Sequence, residues 1–249
     1  MSLHKGGTYF MAKVTDKFLT LVNKTHQFDE SMLNQFEMVE IEDSDGKTYI
    51  EKTTYEQLNK LFDYLKKHKG KNCKIVSAGR TPELQADIRE NTEKNVYNRQ
   101  LASGKSKEEA DNLAKAYVDK YVALPYQSEH HLGLCVDIDA YGNFSKFLMD
   151  FVNNESFDNK YDKVRRKIGL KDRALKKVRE VMGDYGFILR FPEGKEKETG
   201  YEKEDWHIRY VGVEHAKIMA ANDLTLEEYV AALEAGKTFP NPDEQQPNA

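Results

Sequence analysis

Cysteine, cationic excess and long apolar runs are all scarce in this chain, and each shortage closes off a class of function. Two cysteines, Cys73 and Cys135, in 249 residues do not make a disulfide framework. No CxxC or Cys–His spacing of a zinc finger accompanies them. Both lie in apolar, strand-like runs and read as buried free thiols, with a single bridge between neighbouring strands as the lesser alternative. No stretch reaches the roughly 20 apolar residues that a membrane helix requires. The opening, MSLHKGGTYFMAK, lacks the continuous apolar segment of a cleavable signal. Met1 to about Gly7 reads as vector-derived sequence, which leaves a native leader or anchor open. Lys and Arg total 38 against 42 Asp and Glu, a formal charge of −4, so the basic surface that non-specific nucleic-acid binding needs is missing. Neither an internal repeat nor a low-complexity linker divides the chain.

What is present suffices for one domain with a sizeable core. Residues 14–236 are expected to form it, with 1–13 outside it or disordered and the Pro- and Gln-rich 237–249 a disordered tail. Charged residues make up 32%, above the usual quarter, so charged helices or loops should hang off the core. Leu58, Leu61, Phe62 and Leu65 recur at helical spacing over 55–68, and Gly70 stops that helix. Cys73–Ser77 reads as a strand. Residues 82–122 are helix-prone, and Ser106 with Glu109 makes a capping box for a second helix. Residues 132–139 read as a strand, 143–183 as helical and basic, and 187–191 and 207–211 as two more strands. Residues 213–235 are helical, with a second capping box at Thr225 and Glu228. The fold class is α+β: a small antiparallel sheet flanked by helices, with helical insertions.

Two segments concentrate metal-type ligands. The first is Ser128-Glu129-His130-His131-Leu132-Gly133-Leu134-Cys135-Val136-Asp137; the second is Glu204-Asp205-Trp206-His207. On a regular strand His130 and Asp137 would face opposite sides, so they converge only if the backbone bends, and Gly133 makes a bend cheap. Beyond it Leu134, Val136 and Ile138 share one face, and Cys135, Asp137 and Asp139 the other. Asp137 and Asp139 have the same parity, so either could serve as a ligand. Glu204 is placed on the loop entering the last strand, with His207 as its first regular residue. Two His and one Asp give three N/O ligands and leave a fourth tetrahedral position for water, the pattern of a catalytic zinc. Glu204 is then spare and close enough to act as general base.

The string SEHHLGLCVDID resembles the Ser-x-His-x-x-Gly-x-Ala-x-Asp motif of VanY-type D-alanyl-D-alanine carboxypeptidases, and EDWHIRYVG resembles their Glu-x-Trp-His-x-Arg-Tyr-Val-Gly motif. SAGRTPELQ is similar to the family's Ser-Gly-Tyr-Arg-Ser segment with a Gln five residues after the Arg. LVNKTHQF, YGFILRFPEGKEKETGY and LTLEEYV resemble its opening, pre-motif and closing segments, so the likeness runs from about Leu21 to about Leu233 with charged insertions at 90–120 and 145–180. The resemblance implies zinc on His130, Asp137 and His207, a catalytic base at Glu204, an oxyanion-stabilising Arg80, and substrate contacts from Ser128 and Gln85. Trp206 is expected to pack beside His207, with substrate stacking as a further role. Two departures stand out. Cys135 replaces the usual Ala, and Ala78-Gly79 replaces the usual Gly-Tyr, which removes an aromatic wall. His131 is left as structural or surface, and Arg190 and Arg209 as structural ion-pair formers.

The implied activity is zinc-dependent removal of the C-terminal D-alanine from peptidoglycan stem peptides, with D,D-cleavage favoured and L,D-cleavage close. The implied partner is that stem peptide, the implied place of action is the cell envelope or outside the cell, and the expected state is a monomer. A cell-wall endopeptidase, a D-Ala-D-Ala dipeptidase and an inactive wall-peptide-binding member are the competing readings.

Overall fold

The computed structural model describes residues 15–44, 46–140 and 175–240 and, as backbone, Tyr9 and Phe10. In chain order the strands are β1 (Tyr9–Phe10), β2 (Met38–Asp43), β3 (Gly46–Glu51), β4 (Lys74–Ser77), β5 (Cys135–Asp139), β6 (Phe187–Phe191), β7 (Glu204–Tyr210) and β8 (Phe239–Pro240). The helices are α1 (Lys52–Lys69), α2 (Pro82–Ala102), α3 (Lys107–Tyr121), α4 (Glu196–Thr199), α5 (Val213–Asn222) and α6 (Leu226–Glu234). β4, β5, β7 and β6 form, in that order, a four-stranded antiparallel sheet. β2 and β3 make a separate hairpin, and β1 pairs with β8. The architecture is the expected α+β with small antiparallel sheets.

The core follows from the alternation in the central strands. Val136, Ile138, Ile208 and Tyr210 turn to one face of the sheet, where they meet Leu58, Leu61 and Leu65 of α1. Those three leucines are fully buried, and each contributes about 1.5–3 kcal/mol by leaving water. Four basic residues occupy the last turn of α1, and Gly70 closes it at φ +61°, with its N–H donating to the Leu65 carbonyl. Cations near the carbonyl end and a left-handed closing residue are what a helix C-terminus favours. The opposite face of β5 and β7 carries Cys135, Asp137, His207 and Arg209. This leaves the polar groups on one side of a sheet whose other side is packed.

The helices start where the caps predict. Thr81 caps α2 with Pro82 in its first turn, and both expected capping boxes, Ser106–Glu109 and Thr225–Glu228, are formed. Three differences matter. The helical run over 213–235 is two helices, broken at Asp223, which adopts φ +51°. The hairpin β2–β3 has no counterpart in the sequence reading. Phe239, assigned by sequence to a disordered tail, is 1% exposed and stacks on Tyr229 with ring centroids 5.2 Å apart. The α5–α6 cluster offers an apolar seat that a tail-like composition does not announce. The basic helical reading of 143–183 falls mostly outside the described residues; 175–179 are helical. Among the described residues no helix is long and apolar enough to cross a membrane.

Candidate metal centre

The first ligand segment does bend. Glu129–Leu132 form a single 3₁₀ turn that ends at Gly133, with φ +65°. A Cβ at Gly133 would lie 3.1 Å from the Glu51 nitrogen and 3.2 Å from the Met38 sulfur. Both the left-handed conformation and the close approach of the β2–β3 hairpin therefore require glycine there. The turn carries His130 to the polar face of the sheet, and β5 carries Asp137 to the same place.

β7 brings the rest. Asp137 and His207 stand directly opposite each other in the β5–β7 ladder. His207 Nδ1 is 3.1 Å from Asp137 Oδ1, and His130 Nε2 is 3.5 Å from Asp137 Oδ2. The two imidazoles meet edge to face, with centroids 4.9 Å apart. Glu204 opens β7 rather than lying on the loop before it. A register irregularity opposite β6, between Leu189 and Phe191, accompanies its position. Its Oε2 is 3.5 Å from His207 Nδ1, so two residues three apart share one side, which an unbroken strand would forbid.

Each imidazole is held by its far nitrogen. His130 Nδ1 donates to the Ala78 carbonyl at 2.5 Å, and His207 Nε2 donates to Glu129 Oε1 at 2.9 Å. In the neutral rings the nitrogens that face Asp137 would then carry lone pairs, the arrangement that metal-ligating histidines use; burial works against charging His207, but Cys135, Asp137 and Glu129 outweigh it and hold the metal-free imidazole well above its ordinary value. Burial pushes His130 down to about 3, and the nearby Arg80 adds to that. Burial works against ionising Asp137, but His130, His207 and Arg80 together hold its carboxyl well below the usual range. Burial pushes Glu204 up to about 8, with the charge of Asp137 adding to the shift; a cation in the cluster would act in the opposite sense.

Asp137 Oδ2 accepts from Arg80 Nη2 at 2.8 Å. Its Oδ1 is buried and has no hydrogen-bond partner. A buried carboxylate oxygen without a hydrogen bond is costly; this one faces His207 Nδ1, while the other oxygen of Asp137 faces His130 Nε2. Three N/O donors with an unsatisfied oxygen suit a zinc ion. Asp139 stands opposite Lys74 in the ladder at the far end of β5, while Asp137 stands beside His207. Cys135, two residues before Asp137 on the same face, also comes within 4.8 Å of donor atoms of His130 and His207. The sequence reading placed it behind the ligands; it lies among them.

The chain has known relatives in sequence and in fold. The family model described as VanY, D-alanyl-D-alanine carboxypeptidase, matches residues 47–213. The chain belongs to the VanY family. It is 35% identical over 183 residues to the putative carboxypeptidase YodJ of Bacillus subtilis, covering 74% of this chain and 54% of that one. It spans about half the length of the curated relatives it matches. Among solved structures, it resembles a variant of the vancomycin-resistance D,D-pentapeptidase VanY from a VanB-type cassette in complex with Zn(II). That match has a TM-score of 0.62 and 28% identity, over 86% of this chain and 99% of that one. It also resembles the LD-carboxypeptidase LdcB, with a TM-score of 0.58 and 30% identity over 86% of each chain.

The remaining sequence-selected residues of this VanY-family chain fall into place unevenly. Arg80 is fixed by four contacts. Its Nε donates to Ser77 Oγ, Nη1 to Gln85 Oε1 and Nη2 to Asp137, while its carbonyl accepts from the Tyr49 hydroxyl at 2.7 Å. Gln85 corrects the expectation of a substrate contact. It is 1% exposed and both ends of its amide are used, Oε1 on Arg80 and Nε2 on the Ala123 carbonyl. Buried and bonded at both ends of its amide, Gln85 steadies Arg80. Trp206 is half-buried. Ser128 is buried at the start of the 3₁₀ turn and does not cap it.

The aromatic wall that Ala78-Gly79 was expected to remove has a replacement. The Tyr49 ring covers Gly79 so closely that a Cβ there would lie 2.6 Å from it. His131 is buried, with Nδ1 donating to the Arg80 carbonyl and Nε2 accepting from the Tyr126 N–H, so its role is to hold the Arg80 backbone. Both cysteines are free. Glu129 escaped the sequence reading altogether. It is the acceptor for His207 and for the two buried arginines, Arg190 and Arg209. The one available signal was an acidic residue beside the His pair in a chain whose strands carry two arginines.

Proposed function

We propose that this chain is a zinc-dependent carboxypeptidase that removes the C-terminal D-alanine from peptidoglycan stem peptides, with D,D-cleavage ahead of L,D-cleavage. It acts as a monomer in the cell envelope or outside the cell. The observation that carries the reading is the buried Asp137 Oδ1, without a hydrogen-bond partner and 3.1 Å from His207 Nδ1, with Glu204 on that same nitrogen and His130 on the carboxylate's other oxygen. His130, Asp137 and His207 would hold the ion, which supplies the Lewis acidity that activates a water and polarises the scissile carbonyl. Glu204, largely withdrawn from solvent and 3.5 Å from His207 Nδ1, takes the proton from the attacking water and returns it to the departing amine of D-alanine. Arg80, its fork fixed by Ser77 and Gln85, lends positive charge to the carbonyl oxygen as it gains negative charge. Ser128 and Trp206 remain candidates for the walls of the peptide groove.

Defined tetrapeptide and pentapeptide stems, incubated with the zinc-loaded protein and weighed by mass spectrometry, test the proposal. Loss of one alanine from the pentapeptide supports D,D-cleavage. Loss from the tetrapeptide supports the L,D alternative, which the LdcB likeness favours. Internal fragments, or no product, refute the carboxypeptidase reading. A Glu204→Gln variant is expected to keep its zinc and lose about 10²–10⁴-fold in kcat; normal turnover would remove Glu204 from the mechanism.

A further inference from the structure

Glu129 is 3% exposed and belongs to no expected set of functional residues. Its two oxygens do different work. Oε2 accepts from Arg190 Nε at 2.7 Å and from Arg209 Nη1 at 3.1 Å. Oε1 accepts from His207 Nε2 at 2.9 Å. The arginines are themselves anchored. Arg190 forks onto both oxygens of Glu227 in α6, and Glu227 in turn accepts from Asn23. Arg209 donates to the Phe18 and Thr20 carbonyls. The carboxylate is thus pinned from three separate parts of the chain, with one oxygen kept for His207.

We infer that Glu129 is a positioning residue that fixes His207 in the Nε2–H tautomer and so presents the Nδ1 lone pair to the metal. This rests on the zinc reading above. The alternative tautomer would place a proton on Nδ1, where Asp137 Oδ1, 3.1 Å away, would accept it and close the site against a cation. Glu129 prevents this because an anionic carboxylate only accepts hydrogen bonds. The two guanidiniums dictate what an amide would do in its place. A Gln side chain would turn its oxygen to Arg190 and Arg209, since an NH₂ facing two cationic donors is untenable. Its NH₂ would then face His207 Nε2 and demand a lone pair there. Glu129→Gln should therefore reverse the tautomer without changing the size of the side chain.

The test is zinc affinity, measured by competition with a chromophoric chelator, and ¹⁵N NMR of histidine-labelled protein. The wild-type zinc-loaded protein is expected to carry the His207 proton on Nε2. Glu129→Gln should bind zinc about 10–100-fold more weakly, the cost usual for losing such a supporting partner, and its metal-free form should carry the proton on Nδ1. Its turnover should recover as free zinc is raised, which a Glu204 variant cannot do. Glu227→Gln, which disturbs the same arginine without touching His207, should lower stability and leave zinc affinity and tautomer unchanged. The inference fails if folded Glu129→Gln binds zinc within about twofold of wild type, or if the wild type carries its proton on Nδ1. The wild-type spectrum decides the matter even if the variant does not fold. A wild type that binds no zinc at all would instead sink the underlying reading.

Discussion

Replacing Arg190 by Met should be among the most damaging single changes outside the ligand set. Arg190 is 1% exposed and bridges two carboxylates, Glu129 in the 3₁₀ turn and Glu227 in α6. Met fills comparable space, so little of the effect is a cavity. What remains is a buried Glu129 supported by Arg209 and His207 and a Glu227 that has lost its buried arginine. Breaking a buried pair by removing one partner costs about 3–5 kcal/mol. For a chain of this size each kcal/mol moves the melting temperature by about 2–4 °C, so a fall of roughly 6–20 °C is expected in thermal and urea melts at pH 7. The pH dependence gives a second check. Burial works against ionising Glu129, but Arg190 and Arg209 outweigh it and hold its carboxyl well below the ordinary value of 4.5. A depressed folded-state value stabilises fully above the unfolded value and is lost as pH falls below it. The gap between wild type and Arg190→Met should thus be widest above about pH 5 and shrink on acidification. A loss under about 1 kcal/mol at pH 7, or a gap that grows as pH falls, would refute the reasoning.

Two further predictions come from the surroundings of the site. Gly79→Ala would place a Cβ 2.4 Å from the Tyr49 carbonyl oxygen and 2.6 Å from its ring, so overpacking should cost about 1–3 kcal/mol in a urea melt and lower activity by shifting the neighbouring Arg80; a neutral variant would mean that β3 does not press on this turn. Burial pushes the Cys73 thiol up to about 12 and raises that of Cys135 as well, so a thiol reagent at pH 8 should label the native protein slowly and both cysteines at once after denaturation; rapid labelling of the native protein would contradict the burial described.

Most of the ligand set was legible in the sequence because metal chemistry demands particular residue types and a bend. Gly133 between His130 and Asp137 gave the bend, and two short motifs gave the residues. Parity alone could not choose between Asp137 and Asp139; in the ladder Asp137 stands beside His207 and Asp139 stands opposite Lys74. Glu204 was put on a loop because three-residue spacing conflicts with strand alternation, and a local irregularity of β7 resolves the conflict. The misjudged residues are those whose roles come from tertiary contact. Gln85 looked like a substrate group five residues after Arg80, but one turn of α2 brings it back onto that arginine. Glu129 had no assigned role, because Arg190 and Arg209, which converge on it, lie far along the chain. Tyr49 gave no signal, because its meaning depends on β3 crossing over Gly79. Helix ends fared well since caps are local; Phe239 fared badly since its burial depends on a groove made by other elements.

Asp137 and His207 share one rung of the antiparallel ladder between the two inner strands. The cradle for the ion is thus a by-product of pairing stretches far apart along the polypeptide, and such non-local pairing is slow compared with helix formation. Neither half has the means to grip a cation firmly on its own. A nascent chain that has not yet extruded His207 carries only the first half, and a chain clipped before that point never gains the second. On the proposed reading, the site exists only once β5 and β7 have paired.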